Sequence, residues 1–252
     1  MSSKQLTVNS KMKGIILAGG LGTRLHPLTL ITNKHLLPVY DKPMILYPLE
    51  TLKKAGFTEI MVVCGKEHGG DFMNFLGSGK DYGIKLFYAL QHGAGGIAEA
   101  LSLTEDFADN GKVAVILGDN IFDNNFSSDI EDFLKSQKDG ARVFIKEVDD
   151  PQRFGVAEIS DNKIINIEEK PQKPKSKYVT TGFYLYNNDV FDKIRTLKPS
   201  WREELEITDV HNMYIQEGTL SYALVNGFWS DAGTFESLLK ASNWLASRVS
   251  RQ

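Results

Sequence analysis

The chain has 252 residues, 42% of them hydrophobic, so it can bury a substantial core as one large domain. Its formal net charge of −3 excludes a general nucleic-acid binder, because such proteins carry a strong positive charge. The single cysteine, Cys64, excludes an internal disulfide. Its position in the apolar run 60–64 predicts a buried thiol rather than a catalytic one.

The sequence carries neither a secretory signal nor an apolar run of about 18 residues. We therefore expect a cytoplasmic protein with no membrane partner. Residues 1–11 are polar and precede a second methionine, Met12. This pattern predicts an N-terminal extension over 1–11, followed by one domain over 12–252.

Apolar runs and helical spacings alternate through the first half of the chain. They predict buried strands over 15–17, 58–64, 84–90 and 113–117, and helices over 43–55, 71–76 and 97–107, with a loop over 77–83. Strands that are apolar along their whole length and alternate with helices indicate a mainly parallel sheet covered on both faces. The predicted fold class is therefore α/β, a three-layer, Rossmann-like fold with a mostly parallel mixed sheet.

The second half of the chain is richer in strands. The patterns predict strands over 141–148, 155–159, 163–167, 178–186 and 219–225, and helices over 207–216 and 235–248. The first three of these strands have little helix between them, so they indicate a small β-rich sub-region. Residues 170–177, KPQKPKSK, are basic and proline-rich, which favours a solvated loop for all but the first of them.

The most informative motif is KGIILAGGLGTRL at residues 13–25, where a buried strand feeds a glycine-rich turn. Glycines at such a turn allow backbone N–H groups to approach phosphate, although a plain tight turn is the alternative. A dinucleotide-binding fingerprint starting at Gly20 is excluded, because it needs glycine where the chain has Leu25. A P-loop is excluded as well, since no Gly-Lys-Ser/Thr triplet follows.

The turn GGLGTRL, then NKHLLPV at 33–39 and DKPMI at 41–45, resembles the signature of the sugar-1-phosphate nucleotidylyltransferases. The resemblance extends over about residues 12 to 248. Members of this family join a sugar phosphate to a nucleoside triphosphate and release pyrophosphate. The segment ELEITD at 204–209 is most similar to the branch that makes dTDP-glucose from dTTP and glucose 1-phosphate. A uridylyltransferase and a non-catalytic nucleotide-sugar-binding subunit are the alternatives.

The resemblance implies a set of nucleotide-binding residues: Leu17, Ala18, Gly19, Gly20, Gly22, Thr23, Arg24, Lys34, Gln91 and Gly96. Arg24 and Lys34 are also implied to be catalytic, binding the triphosphate and stabilising the leaving group. Isolated cations would more often be solvated surface residues. Gln91 is implied to bind the pyrimidine edge, because an amide can donate and accept at once, whereas the alternative is an exposed loop glutamine.

Two aspartates are implied to hold a Mg²⁺ cofactor. Asp119 follows the apolar strand 113–117, and Asp231 lies in the segment WSDAGT at 229–234. The family has one aspartate after its central strand and another in a W-x-D-x-G-T segment. Two carboxylates with phosphate oxygens and water make an ordinary Mg²⁺ shell. Read without the resemblance, Asp231 would be a candidate N-cap of the last helix.

The resemblance also implies a sugar-phosphate site formed by Asn120, Gly155, Glu169, Lys170, Thr181 and Gly182. In this site Glu169 accepts hydrogen bonds from sugar hydroxyls, and Lys170 is a third catalytic cation, binding the sugar phosphate. Many members have tyrosine at the position of Phe154. Thr208 and Asp209 are interpreted as structural, because a carboxylate that opens a helix favours the helix dipole.

The resemblance is compatible with a homo-oligomer. Longer relatives continue with C-terminal helices that form a subunit contact and a second nucleotide site. This chain stops soon after the helix predicted over 235–248. We therefore expect feedback inhibition by dTDP-sugars through a separate site to be weak or missing, since allostery requires a second site.

Overall fold

The computed structural model describes residues 12–136 and 140–249, so the extension assigned to 1–11 lies outside the described residues. In chain order the strands are β1 (Met12–Ala18), β2 (Pro38–Val39), β3 (Lys42–Pro43), β4 (Glu59–Gly65), β5 (Lys85–Gln91), β6 (Lys112–Leu117), β7 (Asn120–Phe122), β8 (Ala141–Glu147), β9 (Gly155–Ser160), β10 (Lys163–Glu169), β11 (Tyr178–Tyr186), β12 (Leu220–Leu224) and β13 (Trp229–Asp231). The α-helices are α1 (Leu46–Lys54), α2 (Gly69–Leu76), α3 (Ile97–Ser102), α4 (Glu105–Ala108), α5 (Ser127–Lys135), α6 (Val190–Thr196), α7 (Ile207–Gln216) and α8 (Phe235–Val249).

Four parallel strands in the order β5–β4–β1–β6 form the centre of a nine-stranded sheet. Their carboxyl ends come into register at one edge, where Ala18 pairs with Cys64, and Gly65 with Gln91. These strands are apolar along most of their length because both faces of the sheet are buried. The residues that follow each of these four strands therefore lie close together at this edge of the sheet.

The other half of the sheet is mixed. Strand β11 runs antiparallel to both β6 and β8, and β12 runs parallel to β8. The antiparallel pair β9–β10 joins the start of β11 through Val179 and Val156. This arrangement confirms the predicted mixed sheet and places a β-rich sub-region beside it.

Helices cover both faces of the sheet, which confirms the three layers. Successive residues of β1 face opposite cores, Ile16 one and Ile15 the other. On the first face α1, α2 and α5 contribute apolar side chains such as Leu49 and Phe72. The second face is covered by α3, α4, α6 and α7. Cys64 is buried, as predicted, and burial raises the pKa of its thiol to about 11.

Two predicted helices need correction. The single helix predicted over 97–107 is wrong, because the chain breaks between α3 and α4 at Thr104. The buried Thr104 hydroxyl donates to the Leu101 carbonyl at 2.7 Å, and its backbone lies outside the helical region at φ −106°. The helix predicted over 43–55 begins later, at Leu46, because Lys42 and Pro43 pair with β2.

Some elements have no counterpart in the sequence prediction. They include the helices α5 and α6 and a small sheet in which β7 pairs with β13. The two strands of that sheet have three residues each, which is too short for a periodic pattern to show. Over the described ranges, every helix is too short or too polar to cross a membrane.

Candidate active site

A cavity of about 440 Å³ lies at the edge where the parallel strands end. Open α/β sheets bind ligands at this edge. The predicted site residues that line the cavity are Leu17, Gly19, Gly20, Gly22, Thr23, Arg24, Lys34, Gln91, Gly96, Asp119, Asn120, Gly155, Glu169, Lys170, Thr181, Gly182 and Asp231. Ala18 is instead buried in the core. Residues predicted from separate segments thus share one space.

The glycine-rich turn is shaped around Lys34. Gly22 has φ +69°, a conformation that favours glycine, and its carbonyl accepts a hydrogen bond from the Leu25 N–H at 2.9 Å. A Cβ added at Gly22 would lie 2.8 Å from Lys34 Cβ. A Cβ at Gly20 would lie 3.3 Å from Lys34 Cε. The lysine therefore crosses beneath the turn because glycines leave room for it.

Lys34 is paired with Asp119 at the end of β6. Lys34 Nζ lies 2.5 Å from Asp119 Oδ2, and both side chains are largely buried. Burial raises the pKa of the Asp119 carboxyl, but the charge and hydrogen bond of Lys34 outweigh it and hold that pKa below its ordinary value. Asp119 is therefore a charged carboxylate at neutral pH.

Asp231 reaches the same place through the small sheet, where it stands opposite Asn120. Its Oδ2 accepts a hydrogen bond from Arg153 at 2.7 Å. Burial and the neighbouring charge of Asp119 raise the pKa of Asp231 to about 6, although Arg153 opposes them. The two carboxylates are thus close enough to influence each other.

The helix-cap interpretation of Asp231 is wrong. Helix α8 is capped by Thr234, whose Oγ1 accepts from the Ser237 N–H at 3.2 Å. Ser237 Oγ in turn accepts from the Thr234 N–H at 3.0 Å, so two free N–H groups of the helix start are satisfied. The Asp231 carboxylate is left to face Arg153 and the cavity.

Asn120 contacts both Asp119 and Gly182, a residue predicted to bind the sugar phosphate. Its Oδ1 accepts from the Gly182 N–H at 2.9 Å and from Trp229 Nε1 at 2.6 Å, while its Nδ2 donates to Asp119 at 2.9 Å. A Cβ at Gly182 would lie 2.6 Å from Asn120 Cγ, so glycine permits the close approach. One Nδ2 hydrogen remains for a ligand, and the rest of the side chain orients Asp119.

Arg24 approaches the carboxylates from the glycine-rich turn. A Cβ added at Gly233 would lie 3.1 Å from an Arg24 guanidinium nitrogen and 3.5 Å from Asp119 Oδ2. Arg24 also lowers the pKa of Asp231, against the stronger effect of burial. Arg24 and Lys34 therefore both stand beside the pair of aspartates.

His35 lies beside Lys34 in the lining of the cavity, and no role was predicted for it. Its Nδ1 lies 2.7 Å from Asn33 Oδ1, which also accepts from the His35 N–H. Burial, followed by the charge of Lys34, lowers the pKa of His35 to about 3, so the ring is neutral. The signal in the sequence was the position of His35, a polar residue directly after Lys34.

The part of the cavity predicted to bind the sugar phosphate contains an ionic network. Glu169 Oε2 accepts from Thr208 Oγ1 at 2.7 Å, and Glu169 Oε1 lies 3.9 Å from Arg202. Arg202 also pairs with Glu204, and with Glu206 at 3.2 Å. Thr208, interpreted from the sequence as structural, holds the Glu169 carboxylate in place. Arg202, Glu204 and Glu206 line the cavity and were missed.

A glycine, a lysine and a threonine form part of the same wall of the cavity. Gly155 backs the carboxylate, because a Cβ there would lie 3.4 Å from Glu169 Oε2. Lys170 has φ +45°, a strained conformation for a residue with a side chain, and its Nζ is 3.5 Å from Glu169 Oε1. Thr181 donates its hydroxyl to the Phe144 carbonyl at 2.9 Å, which directs that group away from a ligand.

Gln91 is buried, with 4% of its surface exposed, so the exposed-loop interpretation is wrong. Its Nε2 donates to the Gly96 carbonyl at 3.2 Å and to Glu99 Oε2 at 2.5 Å. Both amide hydrogens thus have partners within the protein, and binding of the pyrimidine edge by Gln91 stays a prediction. Gly96, at φ +97°, packs against Leu205, where a Cβ would meet the carbonyl oxygen at 2.6 Å.

The chain is similar in sequence to known proteins. The family model described as nucleotidyl transferase matches residues 13–248. The chain belongs to the nucleotidyl transferase family. Among curated relatives, a glucose-1-phosphate thymidylyltransferase of Neisseria meningitidis is 46% identical over 93% of this chain and 82% of its own length. One of Mycolicibacterium smegmatis is 44% identical over 96% of this chain and 84% of its own length.

Solved structures of the nucleotidyl transferase family share the fold. A Bacillus anthracis protein, provisionally described as a glucose-1-phosphate thymidylyltransferase and crystallised with sucrose, is 54% identical with a TM-score of 0.88. The match covers 92% of this chain and 94% of that one. A UDP-glucose pyrophosphorylase complexed with UDP-glucose is 25% identical with a TM-score of 0.81, over 94% of this chain and 99% of its own.

Proposed function

We propose that this chain transfers a thymidylyl group from dTTP to glucose 1-phosphate, giving dTDP-glucose and pyrophosphate. The observation that carries the proposal is the 46% identity over 93% of the chain to a glucose-1-phosphate thymidylyltransferase. The cavity supports it independently, because cations, paired carboxylates and a glycine-rich turn line a single space. Phosphoryl chemistry needs this combination of positioning and charge, with little covalent work from the protein.

The triphosphate is assigned to the glycine-rich turn. Backbone N–H groups at Gly19, Gly20 and Gly22 can approach phosphate oxygens closely. Arg24 offers a planar fork of donors, and Lys34 a compact point charge. Both cations stabilise the charge that develops on departing pyrophosphate.

We assign Mg²⁺ to Asp119 and Asp231, both of which line the cavity. Proteins commonly hold Mg²⁺ with one or two carboxylates, the rest of its shell being substrate phosphate and water. Over the ranges that the structure describes, no group of three or more His, Cys, Asp and Glu side chains is arranged to hold a metal. The donor chemistry of two carboxylates beside a triphosphate fits Mg²⁺, which when bound would neutralise phosphate charge.

The sugar phosphate is assigned to the opposite set of side chains. Lys170 binds its phosphate, and Glu169, fixed by Thr208, accepts hydrogen bonds from sugar hydroxyls. A phosphate oxygen of the sugar phosphate attacks the α-phosphorus in line. The bond from that phosphorus to the oxygen of pyrophosphate then breaks. The reaction needs no protein nucleophile, and the Cys64 thiol lies buried in the core.

A uridylyltransferase is the second candidate, since the fold also matches a UDP-glucose pyrophosphorylase. The two bases differ in one methyl group. A hydrophobic pocket discriminates one methyl by only about 1–3 kcal/mol, so we expect some turnover of UTP.

The test is pyrophosphate release from the purified chain across dTTP, UTP, dCTP and ATP, each combined with several hexose 1-phosphates. The proposal predicts the highest kcat/KM for dTTP with glucose 1-phosphate, with UTP second. A higher kcat/KM for UTP would favour the uridylyltransferase. Nucleotide-sugar binding without turnover in any combination would instead support a non-catalytic subunit.

A further inference from the structure

The guanidinium group of Arg153 is fixed at the wall of the cavity. Arg153 ends a short turn of 3₁₀ helix, Pro151–Arg153, that precedes β9. One terminal nitrogen, Nη1, donates to Asp150 Oδ2 at 3.0 Å, and the other, Nη2, donates to Asp231 Oδ2 at 2.7 Å. The guanidinium carbon lies 5.0 Å from the centroid of the Phe154 ring, which adds a cation–π contact.

A second contact keeps β13 beside this turn. Trp229 and Asp231 are two positions apart on β13, so their side chains lie on the same face of that strand. The centroids of the Phe154 and Trp229 rings are 5.2 Å apart. Arg153 and Phe154 thus meet two residues of β13, one through an ion pair and the other through an aromatic contact.

Arg153 contacts one oxygen of the Asp231 carboxylate. Within residues 12–136 and 140–249, the hydrogen bond and the ion pair of this carboxylate are both to Oδ2, and both come from Arg153. A guanidinium whose Nη1 is bonded to Asp150 cannot give both terminal nitrogens to Asp231. The second oxygen of Asp231, Oδ1, therefore remains for a ligand.

We propose that Arg153 is a positioning residue that makes the metal site selective for Mg²⁺ over Ca²⁺. A carboxylate with one oxygen bonded to Arg153 is left to bind a metal through its other oxygen. Mg²⁺ requires a near-octahedral shell, whereas the larger and more flexible shell of Ca²⁺ accepts both oxygens of a carboxylate. Hydrogen bonds to ligating carboxylates fix their orientation. This inference rests on the proposed function, since it takes Asp231 as a ligand of Mg²⁺.

The experiment measures the dissociation constant of dTTP by calorimetry in saturating Mg²⁺, in saturating Ca²⁺ and in EDTA, without sugar phosphate. The metal preference is the dissociation constant in Ca²⁺ divided by that in Mg²⁺. Arg153→Gln removes the charge and the double anchor, and should lower this preference about tenfold. Loss of a positive charge by itself acts alike on two dications, so it cancels in the ratio. A fall therefore reports the lost orientation of the carboxylate.

Three further variants sharpen the test. Arg195→Gln is the matched control, because Arg195 is also an arginine in ion pairs but is exposed, and it should leave the preference unchanged. Arg153→Lys retains the charge and one donor group, so its fall should be smaller than that of Arg153→Gln. Asp150→Asn weakens the anchor of Nη1 at a half-exposed position, where folding is retained. It should lower the preference in the same direction, by less.

A double-mutant cycle separates positioning of Asp231 from a direct contact between Arg153 and the nucleotide. Asp231→Asn removes the carboxylate through which Arg153 is proposed to act. In that background, Arg153→Gln should leave the metal preference unchanged. A direct contact with the triphosphate would instead weaken dTTP by the same factor in Mg²⁺, Ca²⁺ and EDTA.

Two results would overturn the proposal. One is an unchanged metal preference in Arg153→Gln, and the other is an equal fall with and without the Asp231 carboxylate. Equal affinity of the wild-type chain for dTTP in Mg²⁺ and in EDTA would overturn the metal assignment and this proposal together. A wild-type chain that prefers Mg²⁺ through Arg153 but releases no pyrophosphate would refute the proposed reaction and leave the selectivity mechanism standing.

Discussion

The two ends of the cavity are built in different ways. The triphosphate end is formed by a continuous turn, 19–24, and by Lys34, which lies ten residues further along the chain. The sugar end is assembled from the start of β9, the end of β10, the middle of β11 and the segment 202–208. One end is therefore local in sequence, and the other exists only after folding.

The charges at the two ends differ as well. At the triphosphate end the cations Arg24 and Lys34 face the cavity, which suits a ligand with several negative charges. At the other end, proposed to take the sugar phosphate, three carboxylates, Glu169, Glu204 and Glu206, surround the single cation Arg202. Carboxylate oxygens can accept hydrogen bonds from neutral hydroxyls. This difference in charge supports the proposed assignment of the triphosphate to one end and the sugar phosphate to the other.

The largest effect is expected where the two ends meet, at the aspartates. Asp119→Asn and Asp231→Asn should each lower kcat about 10³-fold or more, because each removes one of two carboxylates assigned to Mg²⁺. The change is isosteric, so folding should be retained. The measurement is turnover during a Mg²⁺ titration, with urea unfolding as the control. Unchanged turnover in Asp231→Asn would remove that residue from the metal site.

The contrast between the two ends explains what could be predicted from sequence. The glycine-rich turn, Lys34 and Asp119 were predicted because a short signature and an apolar strand mark them. Arg202 was missed because its partner Glu169 lies 33 positions away in the chain. The β7–β13 pairing was missed because each strand has only three residues, and its partner is far away in the chain, as the side-chain hydrogen bond from Trp229 to Asn120 across 109 positions shows.

The fold was easier to predict than the site. Strand β11 and helix α7 have the predicted bounds, because a strand buried on both faces and a helical spacing persist over nine and ten residues. The break at Thr104 was not predictable from spacing, since it depends on a side-chain hydroxyl that competes for a backbone carbonyl. Local patterns therefore predicted the long elements, and tertiary contacts decided the rest.

A second prediction concerns the buried histidines, one behind each end. His35 supports the triphosphate end, and His211 lies behind the sugar end, 2.6 Å from the Tyr186 hydroxyl. Burial lowers the pKa of each histidine to about 3. Between pH 6.5 and 3 the unfolded chain binds protons that the folded chain refuses, so stability is lost as pH falls.

The variant His211→Gln isolates one of these contributions. When the pH is lowered from 7 to 5, a histidine that stays neutral in the folded state lowers the free energy of unfolding by about 2 kcal/mol. Urea unfolding at both pH values should therefore show a loss smaller by this amount in His211→Gln than in wild type. Equal losses in the two proteins would show that His211 takes up a proton in the folded state.

A smaller effect distinguishes the backbones of the two ends. Glu203, in the segment that carries Arg202, has φ +61°, whereas the equally left-handed position in the turn is a glycine, Gly22. Glu203→Gly should raise the free energy of unfolding by about 1 kcal/mol, because it relieves this conformation. Gly22→Ala should lower it and reduce turnover, since its Cβ would press on Lys34. Thermal unfolding of both variants checks the signs, and a stabilised Gly22→Ala would contradict them.

We propose that the cavity has a triphosphate end and a sugar-phosphate end, each with its own cation. Calorimetric titration of dTTP and of glucose 1-phosphate, each alone, into Arg24→Ala and Lys170→Ala tests it most directly. Lys175→Ala is the matched control, because Lys175 is an exposed lysine paired with Glu158. We expect Arg24→Ala to weaken the binding of dTTP about tenfold or more and to leave the binding of glucose 1-phosphate unchanged. Lys170→Ala should do the reverse. Loss of the same ligand in both variants would contradict the two-ended site.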